Sequence, residues 1–180
     1  MTKRLDEDDQ TADFEAMVLP HLDAAYNLAR WLTRDAHAAE DLVQAACVRA
    51  FRFFGGFNGL DARAWLMTIV RNTYFSSLRE ARHEKDDVEF DEALHGAFEV
   101  DWAGDPAAIA ANGDACRVVN EALARLPQAF REVIVLKEMD DLSYKQIADI
   151  AGIPIGTVMS RLSRARKLLL DYLKPYAIGA

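Results

Sequence analysis

The stretch that decides the fold is Leu142–Lys167, which reads LSYKQIADIAGIPIGTVMSRLSRARK. A predicted helix capped by Ser143 carries Ala148, and a turn at Gly152 separates it from a second helix that carries Val158. A small residue where two helices cross, a glycine at the turn and an apolar anchor in the second helix are typical of a helix-turn-helix. We therefore predict this motif near the end of the chain.

The second helix of this motif is basic on its outward face. At 100° per residue, Val158, Leu162 and Ala165 form an inward stripe. The side chains that then face outward are Thr157, Ser160, Arg161, Ser163, Arg164 and Lys167. Arginine binds guanine edges in a bidentate manner, whereas Ser, Thr and Lys more often bind phosphate. Residues 153–170 hold four bases and no acids, which predicts contact with DNA.

The charge of the chain is unevenly distributed. Its 180 residues have a formal net charge of −8, which taken alone argues against a polyanionic partner. Residues 84–114, however, hold ten acids and one base, together with glycines and little helical periodicity. This composition predicts an acidic linker between two folded parts. The linker is either a solvated tether or a segment that occupies a basic groove until nucleic acid displaces it.

The remaining segments are predicted to be helical. Asp35 and Asp61 stand where two long helices of the first part would begin, and glycines break the pattern between these helices. Alternation with a period of two is almost absent, so the fold class is all-α, with two small helical domains. We assign residues 1–11 to a disordered acidic tail, 12–83 to an N-terminal helical bundle and 115–175 to a four-helix domain with the helix-turn-helix. The last helix is expected to run from Thr157 to near Tyr172.

The first part carries a second basic surface, in which arginines alternate with aromatic residues. The arginines of residues 63–82 lie beside Trp65, Tyr74 and Phe75, a composition that suits single-stranded nucleic acid because bases stack on aromatic rings. Phe51, Phe53 and Trp65 are expected in the core. Phe57 remains open between core packing and base stacking. Asn72 is either plain surface or a hydrogen-bonding partner for an unstacked base.

Catalytic and cofactor motifs are absent from the sequence. The four histidines have no Cys or carboxylate at metal-site spacing, and Gly55-Gly56 is not followed by the Lys of a phosphate-binding loop. We predict a non-enzyme without cofactor or metal. Two distant cysteines and the absence of a long apolar run predict a cytoplasmic protein that does not insert into a membrane.

Motifs along nearly the whole chain resemble those of extracytoplasmic-function sigma factors of the sigma-70 family. These motifs are Asp41-Leu42-Val43-Gln44, Arg63-Ala64-Trp65-Leu66 with Arg71-Asn72, Leu126-Pro127, Leu142-Ser143-Tyr144, and Gly156-Thr157-Val158 followed by Ser160-Arg161-Leu162. The resemblance implies a bacterial initiation factor whose two helical domains bind RNA polymerase core and direct it to promoter DNA. It also implies an anti-sigma factor as a partner, and we expect a monomer when the chain is free of partners.

The resemblance assigns residues to three contact surfaces. The polymerase-binding residues it implies are Asp41, Leu42, Gln44 and Arg49. The residues implied for opening the minus 10 element and capturing a flipped base are Phe57, Asn58, Trp65, Arg71 and Asn72. The residues implied for reading the minus 35 element are Thr157, Ser160, Arg161, Ser163, Arg164 and Lys167.

Two other functions are compatible with part of the sequence. A conventional helix-turn-helix regulator would account for the second domain, but it leaves the motifs between Asp41 and Asn72 unexplained. A sigma-like decoy that binds an anti-sigma factor is the other alternative. Known decoys of that kind carry a receiver domain, for whose strands this chain has no room.

Overall fold

A computed structural model describes residues 2–83 and 117–177 of the chain, and the side chains of residues 10–81 and 117–176. Contacts divide the chain into a first unit, Met1–Asp87, and a second unit, Val88–Ala180. Within the described residues every regular element is helical and no strand occurs, which confirms the all-α prediction. The predicted linker, residues 84–114, lies outside the described residues, and the predicted domain boundaries stay predictions.

The first unit is a bundle of four helices. They are α1 (Thr2–Val18), α2 (Leu22–Thr33), α3 (Ala36–Phe53) and α4 (Ala62–His83), with 3₁₀ turns at Leu19–His21 and Phe54–Gly56. Helices α2, α3 and α4 pack against one another. The buried residues of these helices include alanines of α2 and α3 as well as larger apolar residues of α4; among them are Ala25, Ala29, Ala39, Ala46, Leu66, Met67 and Val70. Alanines at these contacts let the helix axes approach closely.

Two aspartates begin helices at the positions that the sequence predicted. The Asp35 carboxylate accepts a hydrogen bond from the Ala38 backbone N–H at 2.7 Å. The Asp61 carboxylate accepts one from the Ala64 N–H at 2.9 Å. Each bond satisfies a backbone donor that the helix itself cannot satisfy. The predicted starts of α3 and α4 are therefore confirmed.

Helix α1 corrects the expectation for the N-terminus. Residues 2–11, expected as a disordered tail, are helical and continuous with the rest of α1. The C-terminal half of this helix is held by Phe14 and Val18, which are 7% and 0% exposed. Once a helix has been nucleated by packing, adding residues costs little, because each one gains a backbone hydrogen bond.

The second unit contains the predicted helix-turn-helix. Helix α5 covers residues 117–125 in the described part of the chain, and α6 (Gln128–Glu138), α7 (Tyr144–Ala151) and α8 (Ile155–Ala177) follow. Its core is formed by residues of α5 to α8 and of the loops that join them, such as Leu126, Val133, Leu136, Ile147, Val158, Leu162 and Ala165. Helices α6 and α7 both pack on α8. They leave one face of α8 open to solvent.

Local signals fix the geometry between α7 and α8. Ser143 Oγ accepts from the Gln146 N–H, and Gln146 Oε1 accepts from the Ser143 N–H, so a capping box starts α7. Gly152 ends α7 with φ of 66°, in the left-handed region that glycine adopts without steric cost. The turn is therefore set by residues adjacent to it in sequence.

The limits of α8 differ from the expectation. The helix begins at Ile155, two residues before the predicted start, and continues through Pro175 to Ala177. Proline lacks a backbone N–H and crowds the preceding turn, which usually ends a helix. Here only two residues follow Pro175 in the helix, so few backbone hydrogen bonds depend on continuing past it.

Among the residues described, no helix combines the length and the apolar character needed to cross a membrane.

Candidate nucleic-acid interface

The open face of α8 presents the side chains predicted to contact the minus 35 element. Ser160, Ser163, Arg164 and Lys167 are exposed, whereas Thr157 and Arg161 are half-buried at its edges. Val158, Leu162 and Ala165 are at most 1% exposed on the opposite side, so the predicted stripe is confirmed. The six residues therefore share one helix face, and their role in DNA binding stays a prediction.

Two arginines of this face are available for an anion. In the described parts of the chain, no carboxylate forms an ion pair or hydrogen bond with Arg161 or Arg164. Lys167 lies near Asp171 and contributes to lowering the pKa of that carboxyl group, although hydrogen bonding to Lys174 is the main cause. An arginine without a carboxylate partner does not have to break an ion pair before it binds. These guanidinium groups can therefore bind phosphate or guanine directly.

Arg166 has a different role from its basic neighbours. Its Nε and Nη2 atoms both donate to Glu138 Oε1, at 3.1 and 2.7 Å. Hydrogen bonding to Glu138, and more weakly to Tyr144, raises the pKa of Arg166. This guanidinium group joins α8 to the end of α6 and the start of α7. Sequence reasoning counted Arg166 among the basic residues of the helix but missed this structural bond, because Glu138 lies 28 positions away.

An aromatic cluster lies next to the loop between α3 and α4 in the first unit. The Phe57 ring lies 4.7 Å from the Trp65 ring and stacks on Phe54 at 5.9 Å between centroids. Phe14 meets the edges of Phe51 and Phe54 at 5.2 and 5.3 Å. Phe57 and Trp65 are half-buried, so each ring packs on the cluster and is partly open to solvent. Two residues predicted for the minus 10 element are thereby in contact.

Two phenylalanines were placed wrongly from the sequence. Phe51 and Phe53, expected in the core, are 42% and 67% exposed, and Phe54 is buried instead. The helical pattern favoured Phe53, but α3 ends at that residue and a 3₁₀ turn follows. The change of backbone geometry rotates Phe54 toward Phe14 and Trp65. Recognising Phe54 from sequence would have required knowing where α3 ends.

The loop itself is held in a defined conformation. Asn58 Oδ1 accepts from the Leu60 N–H at 3.3 Å, an Asx turn, and Gly59 has φ of 75°. Asp61 then caps α4, so three of the four residues from Asn58 to Asp61 have local constraints. Asn58 and Leu60 are exposed beside the Phe57–Trp65 pair. The loop thus presents polar and apolar groups next to an aromatic surface.

Helix α4 presents Arg71 and Asn72 farther from the loop. Asn72 is exposed, and it lies seven residues after Trp65, which places both on nearly the same side of the helix two turns apart. The Arg71 guanidinium lies 4.6 Å above the Phe75 ring, a cation–π contact. The five residues predicted for the minus 10 element therefore occupy the loop and one side of α4.

The residues predicted to bind polymerase do not all reach the surface. Asp41, Gln44 and Arg49 are exposed on α3. Leu42 is 7% exposed and belongs to the core, and its assignment to polymerase binding stays a prediction. Leu42 lies on the same helix side as the buried Ala39 and Ala46, so packing of α3 covers it.

Two further observations concern chemistry in the described residues. Partial burial raises the pKa of the Cys47 thiol, which favours its protonated and less nucleophilic form. In that part of the chain, no cluster of three or more His, Cys, Asp or Glu side chains is arranged to hold a metal ion. The prediction of a protein without cofactor or catalytic activity stays a prediction.

Comparison with known proteins matches both units. The family model described as Sigma-70 region 2 matches residues 17–84, and the model described as Sigma-70, region 4 matches residues 116–169. The RNA polymerase sigma-H factor of Pseudomonas aeruginosa is 30% identical in an alignment that covers 97% of this chain and 93% of that protein. The ECF RNA polymerase sigma factor SigW of Bacillus subtilis is 29% identical, with 96% and 94% covered.

A solved structure has a similar fold. The sigma factor RpoE, crystallised in complex with the anti-sigma factor NepR from Bartonella quintana, superposes with a TM-score of 0.68 and 31% identity. The match covers 90% of this chain and 97% of that one. The helical architecture, the two family models and the relatives that match along most of the chain all indicate the same family. The chain belongs to the extracytoplasmic-function sigma factors of the sigma-70 family, and it is an alternative sigma factor that directs RNA polymerase.

Proposed function

We propose that the two units of this sigma factor divide promoter recognition between them. The first unit binds polymerase core and captures a base of the opened minus 10 element. The second unit reads the minus 35 element as a duplex through α8. One observation carries this proposal: in a chain of net charge −8, the open face of α8 holds exposed bases and no acid between residues 153 and 170.

The face of α8 suits duplex DNA. A recognition helix enters the major groove and contacts base edges with its N-terminal residues. Arg161 and Arg164 are one helical turn apart, so both can approach one groove, and Ser160, Ser163 and Lys167 extend the same face. The exposed serines and lysine supply phosphate contacts that position the helix, and the arginines supply base contacts.

The first unit suits an unpaired base. Opening duplex DNA costs a few kcal/mol per flipped base, which binding to the protein must offset. Stacking on an aromatic side chain contributes roughly 1–3 kcal/mol per base. The partly open Phe57–Trp65 pair supports such stacking, and the exposed amides of Asn58 and Asn72 support hydrogen bonds to base edges.

Partners follow from the same proposal. Asp41, Gln44 and Arg49 form a mixed-charge surface on α3 that we assign to polymerase core. The similar factor RpoE was crystallised with an anti-sigma factor, which supports a partner of that class for this chain. A factor that works with polymerase is expected to act in the cytoplasm.

The division of labour is tested with Asn72→Ala and Arg164→Ala in holoenzyme reconstituted with core polymerase. Both side chains are exposed, so neither change should unfold the protein. We expect Arg164→Ala to weaken duplex promoter binding by about 1–3 kcal/mol, the cost of losing a bidentate base contact. We expect Asn72→Ala to leave initial binding nearly unchanged and to reduce strand opening. Filter-binding titration measures the first step, and permanganate footprinting measures the second.

Matched controls exist in the chain. Arg125→Ala removes an exposed arginine from α5, and Asn27→Ala removes an exposed asparagine from α2, both outside the proposed DNA surfaces. Neither should change binding or opening. Equal losses of binding and opening in the Asn72 and Arg164 variants would refute separate roles for the two units.

A further inference from the structure

Two large apolar side chains are exposed at the start of α8. Ile155 is the first residue of the helix and is 46% exposed, and Met159, one turn later, is 52% exposed. Ser163 follows one turn beyond Met159, so the three residues form a line along one flank of the open face. The core of the unit does not use this flank, because Val158 and Leu162 supply the inward contacts.

The position of Met159 restricts what it can contact on DNA. The N-terminal residues of a recognition helix are those that reach base edges in the major groove. Each base edge there presents hydrogen-bond donors or acceptors, except for the C5-methyl group of thymine, which is apolar. A methionine cannot satisfy the polar groups of guanine, cytosine or adenine as an arginine or glutamine would. Its long, unbranched and polarisable side chain can instead pack on a methyl group.

We propose that Met159 is a specificity-determining residue of this sigma factor and that it reads a thymine in the minus 35 element through the C5-methyl group. The inference rests on the proposed function, in which α8 lies in the major groove. Exposed Ser160 and Arg164 beside Met159 anchor the helix to the phosphates and to a neighbouring base. Ile155 lies one turn before Met159 and extends the apolar surface toward the start of the helix.

The test replaces single thymines by deoxyuridine, which removes the methyl group and leaves the pairing edge unchanged. Holoenzyme containing the full chain first selects a minus 35 sequence from a randomised promoter library. Each thymine of that element, on either strand, is then replaced in turn. Burial of one methyl group is worth about a fourfold change in affinity, so at least one replacement should weaken wild-type binding by about that factor.

Variants connect the methyl effect to the side chain. We expect Met159→Ala to bind thymine and deoxyuridine promoters equally, at about the affinity of the wild type for the deoxyuridine promoter. Met159→Gln, which keeps the length of the side chain, should also lose the preference for the methyl group. Leu170→Ala is the matched control, because Leu170 is 64% exposed and apolar on the same flank but three turns farther along α8. It should retain the full preference.

The outcomes separate this inference from the proposed function. A selected element without thymine, or an unchanged thymine preference in both Met159 variants, overturns the methyl-reading role while Arg164→Ala still weakens binding. If the holoenzyme selects no minus 35 sequence at all, the proposed function itself fails, and the inference fails with it. Circular dichroism of each variant confirms that binding losses occur in folded protein.

Discussion

The four basic residues between positions 153 and 170 all carry a positive charge, but their surroundings differ. Arg166 is held by Glu138 on α6, so its charge stabilises the arrangement of helices within the second unit. Arg164 and Lys167 are exposed, and Arg161 is half-buried at the edge of the same face. Exposed ion pairs such as Arg166–Glu138 contribute about 0–1 kcal/mol, so this bond orients α8 more than it stabilises the fold. Fewer than four of these positive charges can therefore face DNA.

Gly152 ends α7 in the left-handed region of backbone conformation. Its φ of 66° is strained for any residue with a Cβ atom, although no atom lies within 4 Å of the position that a Cβ would take. Gly152→Ala should therefore lower the free energy of unfolding by about 1–2 kcal/mol through backbone strain alone. Urea unfolding followed by circular dichroism measures this change.

Gly156→Ala is the matched control for Gly152→Ala. Gly156 lies within α8, where a Cβ would also meet no atom within 4 Å, and its φ is not in the left-handed region. Alanine is favoured over glycine in a helix by up to about 1 kcal/mol, so this variant should be as stable as the wild type or more stable. Destabilisation of the same size in both variants would contradict the backbone explanation.

Some features of the helices depend on contacts between residues close in sequence, and others depend on contacts between distant residues. Only the features set by close contacts could be predicted from the sequence. The caps at Asp35, Asp61 and Ser143 and the turn at Gly152 involve partners within four residues, and all agree with the structure. The orientation of Phe53 and Phe54 depends on where α3 changes to a 3₁₀ turn and on packing against Phe14, which lies on another helix. For the same reason, the burial of Leu42 and the bond between Arg166 and Glu138 required the structure.

Ser143 and Gln146 form the capping box that starts α7. Ser143→Ala removes the acceptor of the Gln146 N–H, whereas the backbone N–H of residue 143, which donates to Gln146 Oε1 at 2.8 Å, remains. The loss should lower the free energy of unfolding by about 1 kcal/mol and increase hydrogen exchange in the first turn of α7. Thermal unfolding and amide exchange measure both effects.

Ser163→Ala serves as the control for the capping box. Ser163 is exposed in the middle of α8, where alanine is a better helix former than serine. This variant should not be less stable than the wild type, and exchange in α7 should be unchanged. An unaltered exchange rate at Gln146 in the Ser143 variant would show that the cap does not hold this turn.

For the whole molecule, net charge is a poor guide to the partner because the charge is divided among segments. Ten of the 29 acids lie in residues 84–114, outside the described part of the chain, whereas Arg161, Arg164 and Lys167 of α8 lie together on one face of that helix. Interactions between exposed charges are screened beyond roughly 10 Å at 0.1 M salt, so the local face governs contact with DNA. An acidic protein can therefore bind a polyanion through one of its surfaces.

Run-off transcription measures directly whether this chain directs RNA polymerase to promoters. Purified core polymerase and the full chain are combined on a genomic promoter library, with core polymerase alone as the control. We predict discrete transcripts that appear only when the chain is present, from promoters sharing two spaced elements. Folded protein that yields no chain-dependent initiation with active core polymerase would contradict the account.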